Sequence, residues 1–427
     1  MKNATKSFGT MIIASILLWS CGKDDGPTAP GNTAPKISAQ EFTVDEDLPD
    51  TELIGVVKAT DAEMDALTFS IKTNDEGLFE ITAAGDLSLA AGKALDFETD
   101  AQHVITVQVS DGDKTSTATV TIKVGDVDES LAADPGSFIT TWKINANGEE
   151  LKIATDNSLS YDYTIDWGDG TEEKITLSTS PTHIYASSGT YTVAIKGVFP
   201  KINMINEDGY ALKLMSIEQW GSNSWESMNG AFGYCANMVY NATDVPDLSK
   251  VTDMSYMFYE ASSFNGEIGN WNTSIATSME SMFFGATSFN KDIVNWDTSN
   301  VTTMATMFFG ATSFDQPLGD WDVSSVTTMS GMFRDAAAFN QNLGGWDLSN
   351  ITSLNNMFNN SGLDALNYSS ILKGWGGKGN VFIPDGVILG AAGVNFCSDE
   401  DTVYFRDTVL VTQNGWTITD AGSVACQ

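Results

Sequence analysis

Residues 251–350 fall into four consecutive copies of 25 residues, with no insertion between them. Trp271, Trp296, Trp321 and Trp346 keep the period. So do Phe258, Phe283, Phe308 and Phe333, and again Phe264, Phe289, Phe314 and Phe339. A unit this short cannot enclose a core of its own. It buries its apolar face only by stacking on the next copy, so the period predicts a solenoid. A longer relative, "WESMNGAFGYCANMVYNATDVPDLSK", precedes the array, and a degenerate one, "ITSLNNMFNNSGL", follows it.

Within one copy, Met304, Met307, Phe308 and Ala311 stand at i, i+3, i+4 and i+7, the spacing of one face of a short helix. Phe314 and Leu318 lead into an extended stretch that ends at Trp321. Each copy is therefore expected to hold a helical turn, a loop and a short strand. The strands of successive copies would pair in parallel, about 4.8 Å apart. The methionines read as core rather than as an adaptable binding face. After each tryptophan comes Asn272, Asp297, Asp322 or Asp347. Two readings of this column stay open. Each side chain accepts hydrogen bonds from its own Ser/Thr-rich turn, or the column is an exposed ladder for a cation or a basic ligand.

"VTTMATMFFGATSFDQPLGDWDVSS" closely resembles the BspA-type leucine-rich repeats of bacterial surface lipoproteins. The resemblance covers roughly residues 200–427. It implies an α/β solenoid over 201–363 and a role in adhesion or protein binding, without naming the ligand. It also implies that Cys235, in "AFGYCANM", is a free thiol in the solenoid core. Residues 364–427 read as a C-terminal cap, with a helix starting at Ser398 and stopping near Gly415. Cys397 and Cys426 flank that unit and are expected to pair in an oxidising compartment.

Upstream, residues 36–130 hold short alternating runs such as "HVITVQVSD" and "STATVTIKV", the mark of half-buried strands. Acidic groups gather at their ends in "VDEDLP", "ATDAEMD", "LDFET", "VSDGD" and "GDVDE". This order resembles a cadherin repeat. The resemblance implies a β-sandwich with calcium at its poles: Glu46, Asp96, Glu98, Asp126 and Asp128 at one, Asp61, Glu63 and Asp111 at the other. The chain departs from the family in its closing "DVDE" and in Glu63, and the same acids also fit solvated turns. Residues 136–200 carry "WGDG", then "HIY" and "GTY". These resemble a PKD-type, immunoglobulin-like sandwich, carried by Asp166, Trp167, Gly168, Asp169, Gly170, His183, Tyr185, Gly189 and Tyr191. His183 reads as structural, since no nucleophile with an orienting acid accompanies it.

Residues 1–20 read as a signal peptide, with an apolar run from Met11 to Trp19 too short to span a bilayer. "LWSCG" resembles a lipobox, which implies lipid on Cys21; a plain secretory signal is the alternative. Residues 21–35 follow as a linker. The chain carries 56 acidic and 21 basic residues, a net charge of −35, which argues against nucleic acid as a partner. Two histidines and four scattered cysteines make no zinc cluster.

The expected molecule is multidomain: two β-sandwiches, then an α/β leucine-rich-repeat solenoid and a cap. It is expected to be non-enzymatic and lipid-anchored at the outer membrane, facing the cell surface, with calcium as its cofactor and an unknown protein or glycan as its ligand. The rival expectation is a carbohydrate-binding accessory to a separate polysaccharide-degrading enzyme.

Overall fold

The computed structural model describes residues 31–73, 77–97, 99–127, 130–377 and 382–426. The chain is mostly β and divides into two compact units at Asp128/Glu129. The described strands of the first are β1 (Gln40–Asp45), β2 (Leu53–Val56), β3 (Thr68–Thr73), β4 (Phe79–Ile81), β5 (Asp86–Leu89), β6 (Gln102–Ser110) and β7 (Thr115–Gly125). They form two sheets, ordered β1-β7-β6-β3 and β2-β5-β4. Alternation places the core. In β6, His103, Ile105, Val107 and Val109 are buried, while Val104 is half exposed. Ile105 and Val107 join Val120, Ile122, Leu87, Leu89 and Phe79 between the sheets. This is a cadherin-like sandwich.

The second unit begins with β8 (Phe138–Ile144), β9 (Glu149–Lys152), β10 (Asp162–Asp166), β11 (Glu172–Ile175), β12 (Thr182–Tyr185) and β13 (Gly189–Val198). Its main sheet does not stop at residue 200. Two further strands, β14 (Leu214–Gln219) and β15 (Val239–Tyr240), extend it in the order β11-β10-β13-β8-β14-β15. β9 and β12 pair separately. One hydrophobic core runs from Phe138 through the repeats to Trp416.

The repeats bury the expected residues on an unexpected backbone. Met304, Met307, Phe308 and Ala311 are fully buried, yet the segment is a ribbon of turns and contains no helix. Its amide groups divide their work. Those of Met304, Thr306, Phe308 and Gly310 donate to Thr328, Ser330, Met332 and Arg334 of the next copy, at 2.8–3.0 Å. Those of Met307, Phe309 and Ala311 close local turns onto Met304, Thr306 and Phe308. Positive φ at Thr306 (53°) and Gly310 (66°) makes this alternation possible. A helix would turn every donor inward and leave neighbouring copies without backbone bonds. The ribbon bonds each copy to the next, which a stack requires.

The strand position differs as well. No ladder forms on the approach to Trp321. The parallel bridges run Asp253–Ser278–Thr303–Thr328–Ser353, just after the Asx column. Beyond the last copy the stacking continues: Phe358 and Asn360 donate to Gly390 and Ala392, both at 2.8 Å. Two parallel pairs follow, β16 (Ile388–Ala391) with β18 (Thr417–Asp420) and β17 (Phe396–Cys397) with β19 (Ser423–Val424). Parallel pairing thus continues into the C-terminal region. Its late helix, Glu400–Val403, is capped by Asp399 rather than Ser398, through a 3.0 Å bond from the Thr402 amide. It runs on as a π-helix over Tyr404–Gln413 and ends before Gly415.

Candidate functional site

Loops join the strands at each end of the first sandwich and carry its acids. At one end, Asp61 Oδ1 accepts from the amides of Glu63 (3.0 Å) and Asp65 (3.1 Å). Asp111 Oδ1 accepts from the amides of Asp113 (2.8 Å) and Lys114 (2.6 Å), and these bonds hold its carboxyl below the usual range. Asn32 donates to Asp111 Oδ2 at 3.2 Å, and Thr33 Oγ1 donates to Glu63 Oε2 at 2.8 Å. Asn32 thus engages Asp111 and Thr33 engages Glu63, although the sequence reading left both residues in the linker. Two buried oxygens here, Asn32 Oδ1 and Asp61 Oδ2, have no hydrogen-bond partner. Buried acceptors are rarely left so. Both are hard oxygen donors of the kind calcium takes. Among the described residues no three His, Cys, Asp or Glu side chains converge as a metal-binding group.

At the other end the acids serve the backbone. Glu46 is buried, and its two oxygens accept from the amides of Phe97 and Val127, both at 2.7 Å. It staples the end of β1 to two loops. Asp96 accepts from the amide and hydroxyl of Thr99, both at 2.9 Å. Asp126 is exposed. Glu98, Asp128 and Cys21 lie outside the described residues.

In the second unit His183 is held structurally. Its Nε2 lies 2.8 Å from Asp169 Oδ2, its ring stacks on Trp167 at 5.1 Å, and Tyr185 meets it edge-on at 4.6 Å. Tyr185 Oη donates to the Trp167 carbonyl at 2.8 Å. Burial raises the Asp169 carboxyl, but the bonds from His183 and Thr171 outweigh it and leave the group below its ordinary range.

The Asx column is engaged by its own turns. Asp297 Oδ1 accepts from the Ser299 amide (3.0 Å) and hydroxyl (2.6 Å), and Asp322 does the same with Ser324 at the same distances. Asn272 and Asp347 accept from the Ser274 (3.2 Å) and Ser349 (2.9 Å) amides. The serine hydroxyls, then the amides, lower the Asp297 and Asp322 carboxyls.

A second column escaped sequence reasoning. Asn265, Asn290, Asp315 and Asn340 each accept the backbone amide of the equivalent residue one copy on, at 2.8–3.0 Å. The signal was an Asn or Asp directly after each buried phenylalanine of the second series. A third column, partly exposed, holds Tyr259, Phe284 and Phe309. Cys397 and Cys426 form a disulfide with Cα atoms 5.3 Å apart. Cys235 is a buried free thiol, and burial raises its pKa. No helix among the described residues is long and apolar enough to cross a membrane.

Comparison with known proteins agrees with this division. Residues 40–125 match the cadherin domain family. Residues 226–324 and 292–375 match a family described as "Mycoplasma protein of unknown function, DUF285". No curated protein matches the chain. Similar solved structures include human protocadherin-24 EC1-2 (20% identity, TM-score 0.22, covering 34% of this chain and 60% of that one). Mouse clustered PcdhgC3 EC1-3 is 27% identical, with a TM-score of 0.20 over 22% of this chain and 34% of that one. The third cadherin domain of human protocadherin 7 is 20% identical, with a TM-score of 0.21 over 25% of this chain and 98% of that one. The chain thus spans 60% and 34% of the first two of these structures.

Proposed function

We propose that this chain is a non-enzymatic surface lipoprotein that binds a protein or glycan ligand through its repeat stack. The observation that carries the reading is the repeat itself. Its buried Met, Phe, Ala and Trp columns keep the same residues, while exposed columns such as Glu267, Asp292, Pro317 and Asn342 vary from copy to copy. Such a design holds a scaffold fixed and leaves the surface free to specialise. In this reading residues 201–363 are a BspA-type leucine-rich-repeat solenoid, and residues 136–200 are a PKD-type domain. The two sandwiches act as spacers between the solenoid and lipid on Cys21 at the outer membrane, with the repeats facing the cell surface.

Calcium would bind the first sandwich. Asn32, Asp61, Glu63 and Asp111 would hold it at one end, where two oxygens stand buried without donors. Glu46, Asp96, Glu98, Asp126 and Asp128 are the set at the other end, where Glu46 already spends both oxygens on amides. The ion's part is to neutralise clustered carboxylates and tie the loops together.

One observation favours the glycan alternative, in which the chain assists a separate polysaccharide-degrading enzyme. A cleft of about 450 Å³ in the C-terminal region is lined by Phe382, Asp385, Tyr404, Phe405 and Gln413, among others. Phe382 and Tyr404 are 68% and 50% exposed. Exposed rings beside a carboxylate and an amide suit a sugar.

The test is binding of the full mature chain to panels of matrix proteins and neutral glycans, alongside membrane fractionation of a Cys21→Ala variant. Saturable binding and release of the variant are expected. A chain that binds neither panel, or a variant that stays on the membrane, overturns the corresponding part.

A further inference from the structure

The residue after each buried phenylalanine of the first series faces outward. It is Tyr259, Phe284, Phe309, Arg334 and Asn359 in successive copies; in the longer relative before them the position is Gly233, and Tyr234 stands one residue on, level with Glu260. The rings form a column. Tyr259 and Phe284 lie 4.6 Å apart at 15°, Phe284 and Phe309 4.5 Å apart at 5°, and Tyr234 meets Tyr259 at 5.3 Å. The Arg334 guanidinium covers the last ring, 5.2 Å from the Phe309 centroid. All these residues are partly exposed.

The fold does not require aromatics there. The backbone carbonyl at this position accepts the same inter-copy bond whichever side chain it carries: from Gly285 to Phe309 (2.8 Å), from Gly310 to Arg334 (2.8 Å) and from Asp335 to Asn359 (2.9 Å). Within one chain, then, Phe, Arg and Asn serve the scaffold alike. A row of rings kept at the surface without structural need is binding material, and exposed tyrosine, phenylalanine and arginine are the side chains of protein interfaces.

The geometry also selects the ligand class. A sugar stacks on the face of a ring. Here the faces are taken by neighbouring rings and by Arg334, and only edges reach solvent. Ring edges pack against aliphatic and aromatic side chains. Charge selects further. Glu260 follows Tyr259, and Glu280 accepts from Tyr256 Oη at 2.9 Å, with the Tyr256 ring 5.8 Å from Tyr259. The tyrosine end of the column is thus acidic, on a chain of net charge −35.

We propose that the column Tyr259–Phe284–Phe309 is a protein-docking face, and that its occupant is a basic partner segment. That segment seats a Lys or Arg against Glu260 and Glu280 and lays apolar side chains along Phe284 and Phe309. This inference rests on the reading of the repeats as a ligand-binding array. To test it, a displayed random-peptide library is selected on the full mature chain, and the selected peptides are titrated against two variants. Phe284→Asn/Phe309→Asn uses the residue this chain itself places at Asn359. Glu260→Gln/Glu280→Gln leaves the rings in place. Selected peptides should carry Lys or Arg among apolar residues. The asparagine variant should bind them about tenfold more weakly, as loss of an interface anchor does. The glutamine variant should bind more slowly and with a flatter salt dependence. Both should stay folded and melt within about 8 °C of the parent chain. Peptides that bind both variants as well as the parent overturn the docking face and leave the array free to bind elsewhere. Loss of a neutral glycan, rather than a peptide, from the asparagine variant overturns the ligand class. Failure to select any peptide, with no retention on the protein or glycan panels, overturns this proposal together with the reading it rests on.

Discussion

At the residue scale the carboxylates of the second unit are fixtures of local turns. Asp322 accepts two hydrogen bonds from Ser324 and sits in a column of like charge. Its charge works to raise the neighbouring Asp297 carboxyl, and the Ser299 bonds to Asp297 outweigh that effect. Asp322→Ala should therefore destabilise the repeats by about 1 kcal/mol, the range for a lost side-chain hydrogen bond, and leave ligand binding unchanged. A denaturant titration of the full chain checks this, and an unmoved midpoint would mean that the column is not structural. The same turns predict an acid response. Asp156 is held down from an ordinary 3.8 to about 2, first by the Ser158 hydroxyl and amide and then by Lys201. Asp297, Asp322, Asp364 and Asp399 shift in the same direction, each through its own turn or helix cap. A depressed carboxyl contributes stability that is complete above its unfolded pKa and is lost as the pH falls through the folded one. Melting of the second unit should thus be insensitive to these groups near neutrality. It should fall between about pH 4 and about pH 2. Calorimetry across that window decides it, and a flat profile would show that these bonds do not survive in solution.

At the scale of the element, one copy of the repeat shows what its sequence could and could not tell. The buried set was legible: Met304, Met307, Phe308 and Ala311 all face the core. The element type was not. Spacing at i, i+3, i+4 and i+7 marks which side chains share a face, and a ribbon of turns satisfies it as well as a helix does. What separates them is where the amides go, and the pattern of apolar residues is silent on that. The hints were the residues at Thr306 and Gly310. Their equivalents elsewhere are Tyr, Ser, Gly, Asp, Glu or Asn at positive φ, a mixture with few good helix formers. The Asn265 column stayed hidden for a related reason. An exposed asparagine looks like surface until the backbone amide that donates to it is found on the neighbouring copy. Asn32 was missed because it lies within the proline-flanked stretch from Pro27 to Pro35 that reads as linker. Neighbouring phenylalanines give this scale its sharpest test. Phe308 is fully buried and stacks at 4.0 Å on Phe314, so Phe308→Ala should cost about 3–5 kcal/mol. Phe309, one residue on, is half exposed, and Phe309→Asn should stay within about 0.5–1 kcal/mol. Equal losses in paired denaturant titrations would refute the division into core and surface columns.

At the scale of the whole molecule, two units imply two unfolding transitions, and each has its own chemical handle. The Cys397–Cys426 disulfide closes a separation of 29 residues in the second unit. By chain entropy it contributes about 3–4 kcal/mol, so a reductant should lower one transition and thereby identify it. The other belongs to the cadherin-like sandwich and should respond to calcium. Binding to the folded state alone adds RT ln(1 + [L]/Kd), about 2.7 kcal/mol at a hundredfold excess over Kd. The two handles should act on different transitions. A sharper consequence follows from the unpartnered oxygens Asn32 Oδ1 and Asp61 Oδ2. With no ion bound, a buried acceptor without a donor costs about 1–3 kcal/mol. Asp61 also supplies two bonds to the loop through Oδ1, so Asp61→Asn, which keeps a carbonyl oxygen there, is the appropriate substitution. In chelator it puts an amide group in place of the unpartnered Asp61 Oδ2 and removes a charge, and it should leave the first transition unchanged or raise it. In calcium the same substitution should lower that transition relative to the parent chain, because a charged ligand is gone. The effect of one mutation would thus change sign, or vanish, with the ion. Scanning calorimetry of parent and variant in chelator and in calcium reads all four values. A variant equally destabilised in both conditions would make Asp61 a loop-building residue and nothing more, and a parent chain unmoved by calcium would remove the ion from this end of the sandwich.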